Sequence, residues 1–361
     1  MNPGRVTVIA EAGVNHNGDR KLALDLIDAA HAAGADVVKF QTFSADRIVM
    51  STAPKAQYQM ATTETKESQF DMLRKLELSR EDHFVLVEHA QRVGIAFLST
   101  PFDRVSLAFL VEELGMKTVK LPSSDLTNLP LVLDAARSGA KLIMSTGMAS
   151  LGEIERAVNI VAFGMTGGGT PPADLGELDR LCNDDKLSEL LRQRLTLMHC
   201  TSEYPSPASD ANLRAITTLS QAFDLAVGYS DHTEGAAVAL AAVALGASVI
   251  EKHLTLDRTM AGPDHTASCE PDELSQLVNG IRAVEASLGG GRKVPTPREF
   301  DNRFAMRKGL FAARDIQLGQ VVTDHDVQVL RPVSGAGADA YWNWVGRTAP
   351  RAFAAGDPLG D

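Results

Sequence analysis

Polar and basic side chains recur along this 361-residue chain at the ends of short apolar segments. The segment KFQTF places Lys39 and Gln41 two residues apart, so both side chains share one face of a strand. Later segments end in further polar residues, namely Thr100, Lys120, Ser123, Ser145, Ser202 and Ser230. Lysine ammonium groups, hydroxyls and backbone N–H groups together bind phosphate and carboxylate oxygens. The sequence therefore predicts a site for a phosphorylated carboxylic acid.

Two histidines follow the last two apolar segments: His232 in SDHT and His253 in EKH. Two neutral imidazoles, completed by water or substrate oxygens, can hold a divalent transition metal. Such a set leaves coordination positions open, which suits Lewis-acid catalysis more than a structural site. Glu11, in EAGVNHNG, and Asp125, in KLPSSD, are the candidates for general acid and base groups.

Eight short apolar runs alternate with helical patterns such as Arg20–Ala33 and Arg80–Val93. Runs this short and apolar are typical of strands buried on both faces, as in a parallel sheet. Eight repeats predict a TIM (β/α)8 barrel, with the polar strand ends on one rim. An open doubly wound sheet is the alternative, and the lack of a Gly-x-Gly-x-x-Gly turn after the first run disfavours it. The runs are Val6–Ala10, Asp36–Phe40, Ile95–Ser99, Thr118–Leu121, Lys141–Met144, Leu195–Cys200, Leu225–Gly228 and Ala247–Ile250.

The charge and composition of the chain indicate which partners and which cellular compartment to expect. The formal net charge of −11 argues against nucleic acid and anionic membrane as partners. Cys182, Cys200 and Cys269 follow no metal or disulfide spacing, which fits a reducing compartment. The apolar run near the N-terminus is too short for a signal peptide, and no apolar stretch is long enough to span a membrane. We expect a cytoplasmic enzyme.

The pattern changes twice outside the repeats. Residues 164–194 are rich in glycine and proline and predict a surface insertion, with a short helix over Lys186–Arg192. The barrel pattern ends near Leu288, so we assign residues 1–289 to the barrel and 290–305 to a linker. Residues 306–361 form a β-rich stretch that is small for an independent core, so we expect it to pack on something larger.

The chain resembles the sialic acid synthase family, closest to bacterial synthases of N-acetylneuraminate and legionaminate. The resemblance covers nearly the whole chain, and its motifs occur in the family's order: EAGVNHNG, KFQTF, STPFD, KLPSSD, STGMA, HCTSEYP, GYSDHT, EKHLTLDRTMAGPDH and a C-terminal RP. It implies a TIM barrel followed by a small antifreeze-like (SAF) domain, in a domain-swapped homodimer. It also implies condensation of phosphoenolpyruvate with a mannosamine-type 2-acetamido hexose, giving a nine-carbon 2-keto sugar acid and phosphate.

The resemblance also implies roles for individual residues. Phosphoenolpyruvate would be bound by Lys39, Thr100, Lys120, Ser123 and Ser145. His232 and His253 would hold Mn²⁺ or Mg²⁺, while Glu11 and Asp125 would manage water and proton transfers. The sugar would face Gln41, Tyr204 and Asp264, and Arg331 would reach it from the other subunit. The chain departs from the family pattern at Ser202, which replaces asparagine in some members, and at Ser124–Asp125, Gly309 and Val333.

Three alternatives remain beside this interpretation. A metal-dependent barrel aldolase or isomerase would need no phosphoenolpyruvate, and the two lysines with clustered hydroxyls argue against it. A non-catalytic sugar-binding descendant would have lost metal ligands or lysines, yet these residues are present. Within the family, the acceptor is N-acetylmannosamine or, alternatively, the legionaminate precursor 2,4-diacetamido-2,4,6-trideoxymannose, and spacing does not decide between them.

Overall fold

The computed structural model describes residues 4–55, 60, 63, 67–170, 178 and 184–360. Contacts divide the chain into two units, Met1–Gly289 and Gly290–Asp361. Within the described residues, the helices all fall short of the length and apolarity that crossing a bilayer requires.

The first unit contains a parallel sheet of eight strands, which confirms the predicted barrel. The hydrogen-bonded order is β3-β2-β1-β8-β7-β6-β5-β4, so strands consecutive in sequence are neighbours except β3 and β4, and β1 also pairs with β8. The end strands of this order, β3 and β4, contact each other and bring the sheet close to closure. The strands are β1 (Thr7–Gly13), β2 (Val37–Thr42), β3 (Ala96–Pro101), β4 (Thr118–Leu121), β5 (Lys141–Ser145), β6 (Leu195–Cys200), β7 (Ala226–Asp231) and β8 (Val249–His253).

Helices surround this sheet, and several of them begin at side-chain caps. Ser79 and Ser150 each form a capping box with the acidic residue three positions later. Gly94 ends one helix in the left-handed conformation that glycine adopts without steric cost. The helices are Arg20–Ala32, Ala45–Ile48, Gln69–Lys75, Arg80–Val93, Arg104–Ala108 (continued by a π-helical turn, Phe109–Glu113), Leu129–Arg137, Leu151–Met165, Asp185–Arg194, Arg214–Phe223, Ala237–Ala244 and Pro271–Leu288.

An apolar layer fills the barrel directly beneath the polar rim. Because side chains two apart on a strand share a face, each inward apolar residue lies one step below an inward residue of the rim. Gly228 completes the layer, since a Cβ there would collide with Met198 and Val249. The pairs are Ile9 below Glu11, Leu98 below Thr100, Ile143 below Ser145, Met198 below Cys200, Gly228 below Ser230 and Val249 below Glu251.

The predicted insertion is described only in part. Its helix spans Asp185–Arg194, slightly longer than the prediction, and is capped by Asp184. Residues 171–177 and 179–183 of the insertion, with Cys182, lie outside the described residues.

The second unit has a small core of its own around Leu310, Ile316, Trp344 and Phe353. Its sheet pairs β9 (Gly309–Ala312) with β10 (Val327–Leu330) in antiparallel fashion, and a short helix spans Tyr341–Trp344. The segment assigned to the linker contains a helix, Pro297–Met306. Thr296 and Glu299 form a capping box at its start, and proline is favoured at the first helical position.

Candidate active site

A cavity of about 700 Å³ opens where the barrel strands end. All eight strands contribute lining residues, as expected for the carboxyl-terminal face of a TIM barrel. Every site residue predicted from the sequence lines this cavity except Arg331, which is exposed in the second unit. The structure therefore brings together side chains separated by more than 250 positions in the sequence, from Glu11 to Asp264.

Four buried charges form the floor of the cavity. Lys39 Nζ lies 3.0 Å from Glu11 Oε2 and 3.4 Å from Glu251 Oε2, and Lys120 Nζ lies 2.9 Å from Glu251 Oε2. All four side chains are at most 5% exposed. Buried ions are tolerated only when paired, so two lysines and two glutamates make a balanced set. Lys39 also donates to Thr100 Oγ1.

Sequence analysis assigned no role to Glu251, although the segment EKH contains it. Strand alternation places it on the same inward face as His253, and the ladder pairs it with Ser230, which donates to Glu251 Oε1 at 3.0 Å. The position beside a predicted metal ligand was the only signal available, because both lysine partners come from distant strands.

The two carboxylates differ in protonation. Burial alone would raise the pKa of Glu251, but the ammonium groups of Lys120 and Lys39 outweigh burial and hold that pKa well below its usual range. Burial raises the pKa of Glu11 to about 7, because Lys39 opposes it only in part and the charge of Glu251 adds to it. Glu251 has two close lysines and Glu11 has one. Glu11 is therefore the carboxylate able to exchange a proton near neutral pH.

His232 and His253 face each other across β7 and β8, with ring centroids 5.5 Å apart. Tyr204 stacks on His232 at 4.2 Å and meets His253 edge-on at 5.6 Å. Burial lowers the pKa of His232 to about 4 and that of His253 well below its usual value. Both rings are thus neutral near pH 7, the form that binds metals.

The histidine hydrogen bonds fit a metal site. His232 Nδ1 lies 2.6 Å from the carbonyl oxygen of Thr201, so this nitrogen carries the proton and Nε2 keeps its lone pair. His253 Nδ1 is buried and has no hydrogen-bond partner in the described part of the chain. Among those residues no three His, Cys, Asp or Glu side chains are grouped for metal binding, so water or substrate would have to supply further ligands.

Hydroxyl groups from β4, β5 and β6 gather around Gly147. The Gly147 N–H donates to Ser123 Oγ at 3.0 Å, and a Cβ at Gly147 would collide with Ser123 and Ser202. Ser145 lines the cavity one strand step below this turn. Close packing of hydroxyls and a backbone N–H suits an oxyanion such as phosphate.

The remaining predicted residues lie at the edge of the cavity. Asp125 is half-buried in the turn Ser123–Asp125 and accepts from Asn128 Nδ2 at 2.8 Å. Asp264 is buried, and burial raises its pKa to about 6. Gln41 Nε2 donates to Glu11 Oε1 at 3.1 Å. The predicted roles of these residues toward proton transfer and sugar stay predictions.

Comparison with known proteins agrees with the motif resemblance and confirms it. Residues 26–293 match the NeuB family, and residues 307–361 match the SAF domain. The chain is 45% identical to N,N'-diacetyllegionaminic acid synthase of Campylobacter jejuni, over 97% of both chains. It is 42% identical to the protein of that name from Legionella pneumophila, over 98% of this chain and 92% of that one. The crystal structure of N-acetylneuraminic acid (sialic acid) synthetase from Leptospira borgpetersenii has a TM-score of 0.66 and 36% identity, over 82% of this chain and 90% of that chain.

Proposed function

The chain belongs to the NeuB family, and we propose that it joins phosphoenolpyruvate, an acetamido sugar of the mannosamine type and water into a nine-carbon 2-keto sugar acid, releasing phosphate. One observation carries the proposal. Two buried lysines, Lys39 and Lys120, lie in one cavity with clustered hydroxyls and with two neutral histidines. Cations beside hydroxyls suit the carboxylate and phosphate of phosphoenolpyruvate, and neutral imidazoles suit a divalent ion.

The proposed acceptor is 2,4-diacetamido-2,4,6-trideoxymannose, the precursor of legionaminate. Two relatives above 40% identity are named N,N'-diacetyllegionaminic acid synthases. N-acetylmannosamine, the first choice on sequence alone, is the second candidate, because the similar Leptospira structure is named as a sialic acid synthetase.

Different residues of the cavity have different roles in the proposed reaction. Phosphoenolpyruvate is held with its C3 oriented toward the open-chain aldehyde carbon of the sugar. The residues that hold it are Lys39, Lys120, Thr100, Ser123 and Ser145. Attack by C3 forms the new C–C bond while the aldehyde C=O double bond opens to an alkoxide, and water then adds at C2. Glu11, with a pKa of about 7, accepts the proton of that water, and the alkoxide takes up this proton. The tetrahedral intermediate loses phosphate by C–O cleavage as its C2 hydroxyl becomes the ketone and its proton leaves with the phosphate.

A divalent ion completes the proposed site. Mn²⁺ or Mg²⁺ held by His232 and His253 would act as a Lewis acid toward the sugar aldehyde. Tyr204 contacts both rings, one face to face at a tilt and the other edge-on, and restricts their orientation.

We further propose a domain-swapped homodimer in the cytoplasm. In such a dimer Arg331 would reach the sugar in the partner's cavity, in keeping with its position outside the barrel unit. Cys200 and Cys269 are buried thiols without a disulfide, which fits a reducing compartment.

A phosphate-release assay tests the function. Purified protein is incubated with phosphoenolpyruvate, Mn²⁺ and each candidate sugar, with and without EDTA. We expect sugar-dependent release that EDTA abolishes and added Mn²⁺ restores. Lys120→Met should abolish release, whereas Lys21→Met, at an exposed lysine, should not.

Two results would contradict the assignment. Absence of phosphate release with both sugars would refute the reaction. Full turnover of His232→Ala under rigorous chelation would refute the metal.

A further inference from the structure

The cavity has two chemically different sides. The side formed by the strand ends carries the lysines, glutamates, serines and histidines described above. A second side has an apolar part, here called the apolar wall, formed by Ile48, Val49, Leu73 and Phe102, which are half-buried and line the cavity beside Arg47 and Gln69. The wall adjoins a buried apolar cluster whose members also line the cavity: Val14, Phe43, Met72 and Leu76. Strand alternation does not produce this wall, because most of its residues follow β2 in the segment before helix Arg80–Val93.

Contacts within the segment, and one to the loop after β1, hold the apolar wall in place. The Ala45 N–H donates to Glu77 Oε1 at 2.7 Å, which joins the start of the segment to its end. Glu67 pairs with Lys75 at 2.6 Å and with the buried Lys55 at 3.5 Å. Gly18, in the loop after β1, lies so close to the Lys75 carbonyl that a Cβ there would collide with it.

Packing fixes the other side of the wall. The rings of Phe43 and Phe102 meet edge-to-face with centroids 6.0 Å apart, which joins the loop after β2 to the loop after β3. The wall is therefore a preformed surface, able to select a ligand by shape and polarity.

A surface of this kind favours methyl groups and disfavours hydroxyls. A sugar hydroxyl placed against it would lose its hydration without gaining a hydrogen bond from the four wall side chains. A methyl group would leave water for an apolar contact. The two candidate sugars differ in this respect, because the trideoxy sugar has a methyl group at C6 and an added acetamido methyl at C4, where N-acetylmannosamine has hydroxyls.

We infer that the apolar wall determines acceptor specificity and selects the 6-deoxy, doubly acetamido sugar over N-acetylmannosamine. The inference rests on the proposed function, since it concerns the acceptor of the same reaction. The reacting aldehyde end of the sugar lies toward His232 and His253, and the C4–C6 end lies along the wall. An apolar site discriminates against an added hydroxyl by at most about 100-fold. We therefore expect kcat/KM to favour the trideoxy sugar by about that factor.

Steady-state kinetics on two wall variants test the inference. Leu73→Gln places a polar group on the wall, and Val49→Thr adds a hydroxyl with little change in volume. The matched control is Leu245→Gln, the same exchange at a leucine that is 44% exposed and lies outside the cavity lining. Each full-length protein is assayed with both sugars at saturating phosphoenolpyruvate and Mn²⁺, and KM for phosphoenolpyruvate and the melting temperature are measured in parallel.

We expect the kcat/KM ratio between the sugars to fall from about 100 to about 10 or less in Leu73→Gln, through a higher KM for the trideoxy sugar. KM for phosphoenolpyruvate should stay within twofold, and the control should keep the wild-type ratio. If Leu73→Gln does not fold, Val49→Thr provides the same comparison.

Three outcomes would overturn the inference. The first is a wild-type preference for N-acetylmannosamine, and the second is a ratio that neither wall variant changes; both leave the condensation reaction standing. In the third, wild-type protein releases no phosphate with either sugar, and the proposed function falls with the inference.

Discussion

Glu251→Gln is the sharpest test of the charge arrangement in the cavity. The substitution keeps the shape of the side chain and removes the one charge that pairs with both lysines. Lys120 Nζ lies 3.0 and 2.9 Å from the two carboxylate oxygens of Glu251, and Lys39 Nζ lies 3.4 Å away. After the change, Lys39 keeps Glu11 as its partner, whereas Lys120 has no ion-pair partner left among the described contacts.

The magnitude follows from the cost of an unpaired buried charge. Removing one partner of a buried ion pair typically destabilises a protein by about 3–5 kcal/mol. Burial already lowers the pKa of Lys120 in spite of Glu251, so loss of the carboxylate lowers it further and favours the neutral amine. Deprotonation then relieves part of the cost, and we expect the lower end, about 3 kcal/mol. For a barrel of this size that loss corresponds to a fall in Tm of roughly 5 °C.

Two assays check this reasoning. Thermal unfolding followed by circular dichroism gives the change in Tm, with Glu234→Gln, at an exposed glutamate in the loop after β7, as control. KM for phosphoenolpyruvate at pH 7 should rise at least tenfold, because a neutral Lys120 no longer attracts the anion, and should improve at lower pH as the amine is protonated. An unchanged Tm together with an unchanged KM would refute the role assigned to Glu251.

Three further predictions concern other parts of the molecule. Burial lowers the pKa of His16 to about 4, so the unfolded chain binds more protons than the folded chain between pH 6.5 and pH 4. The free energy of unfolding should therefore be unaffected by His16 above pH 6.5 and fall by roughly 3 kcal/mol on acidification through this range. His16→Gln should reduce that loss in a series of Tm measurements against pH. Lys252→Met should raise the Mn²⁺ concentration for half-maximal activity about tenfold and leave KM for phosphoenolpyruvate unchanged. The reason is that Lys252 pairs with Asp231 at 2.8 Å and holds the loop that carries His232. Equal effects on the Mn²⁺ requirement and on KM would contradict this. Inactive Arg331→Ala and Lys39→Met chains should regain activity when co-expressed, if the second unit of one chain completes the cavity of the other; no recovery in a verified mixed dimer would contradict the swap.

Strand positions could be predicted from the sequence because strands buried on both faces of a parallel sheet consist mainly of apolar residues. β4 and β6 match the predicted runs to the residue. The prediction for β7 stopped at Gly228, whereas the strand continues to Asp231. Apolar patterning ends where the strand enters the site, so the polar final residues hide the true end of the strand.

The site was less accessible to sequence reasoning. Strand ends identified the lining residues of the barrel, since topology alone places them on one rim. The assignment of Glu251 needed the distance across the barrel from β8 to Lys120 on β4, which no local pattern contains. The apolar wall was missed for a related reason. Its residues belong neither to the predicted apolar runs nor to the predicted helical patterns, and only the folded chain shows that they face the cavity.

Side chains alternate between the two faces of β7 and β8, so adjacent residues of each strand have different roles. Ser230 and Glu251 point into the barrel, whereas the neighbours Asp231 and Lys252 pair with each other on the outer side. A buried ion pair outside the site costs desolvation energy that an apolar pair would avoid. Here Lys252 also contacts the carbonyl oxygens of Thr233 and Gly235, so the charge fixes a loop that an apolar side chain could not hold. Stability is thus exchanged for the position of an imidazole. We expect Lys252→Met to lower both metal affinity and stability, because it also leaves the buried Asp231 carboxylate without its cation.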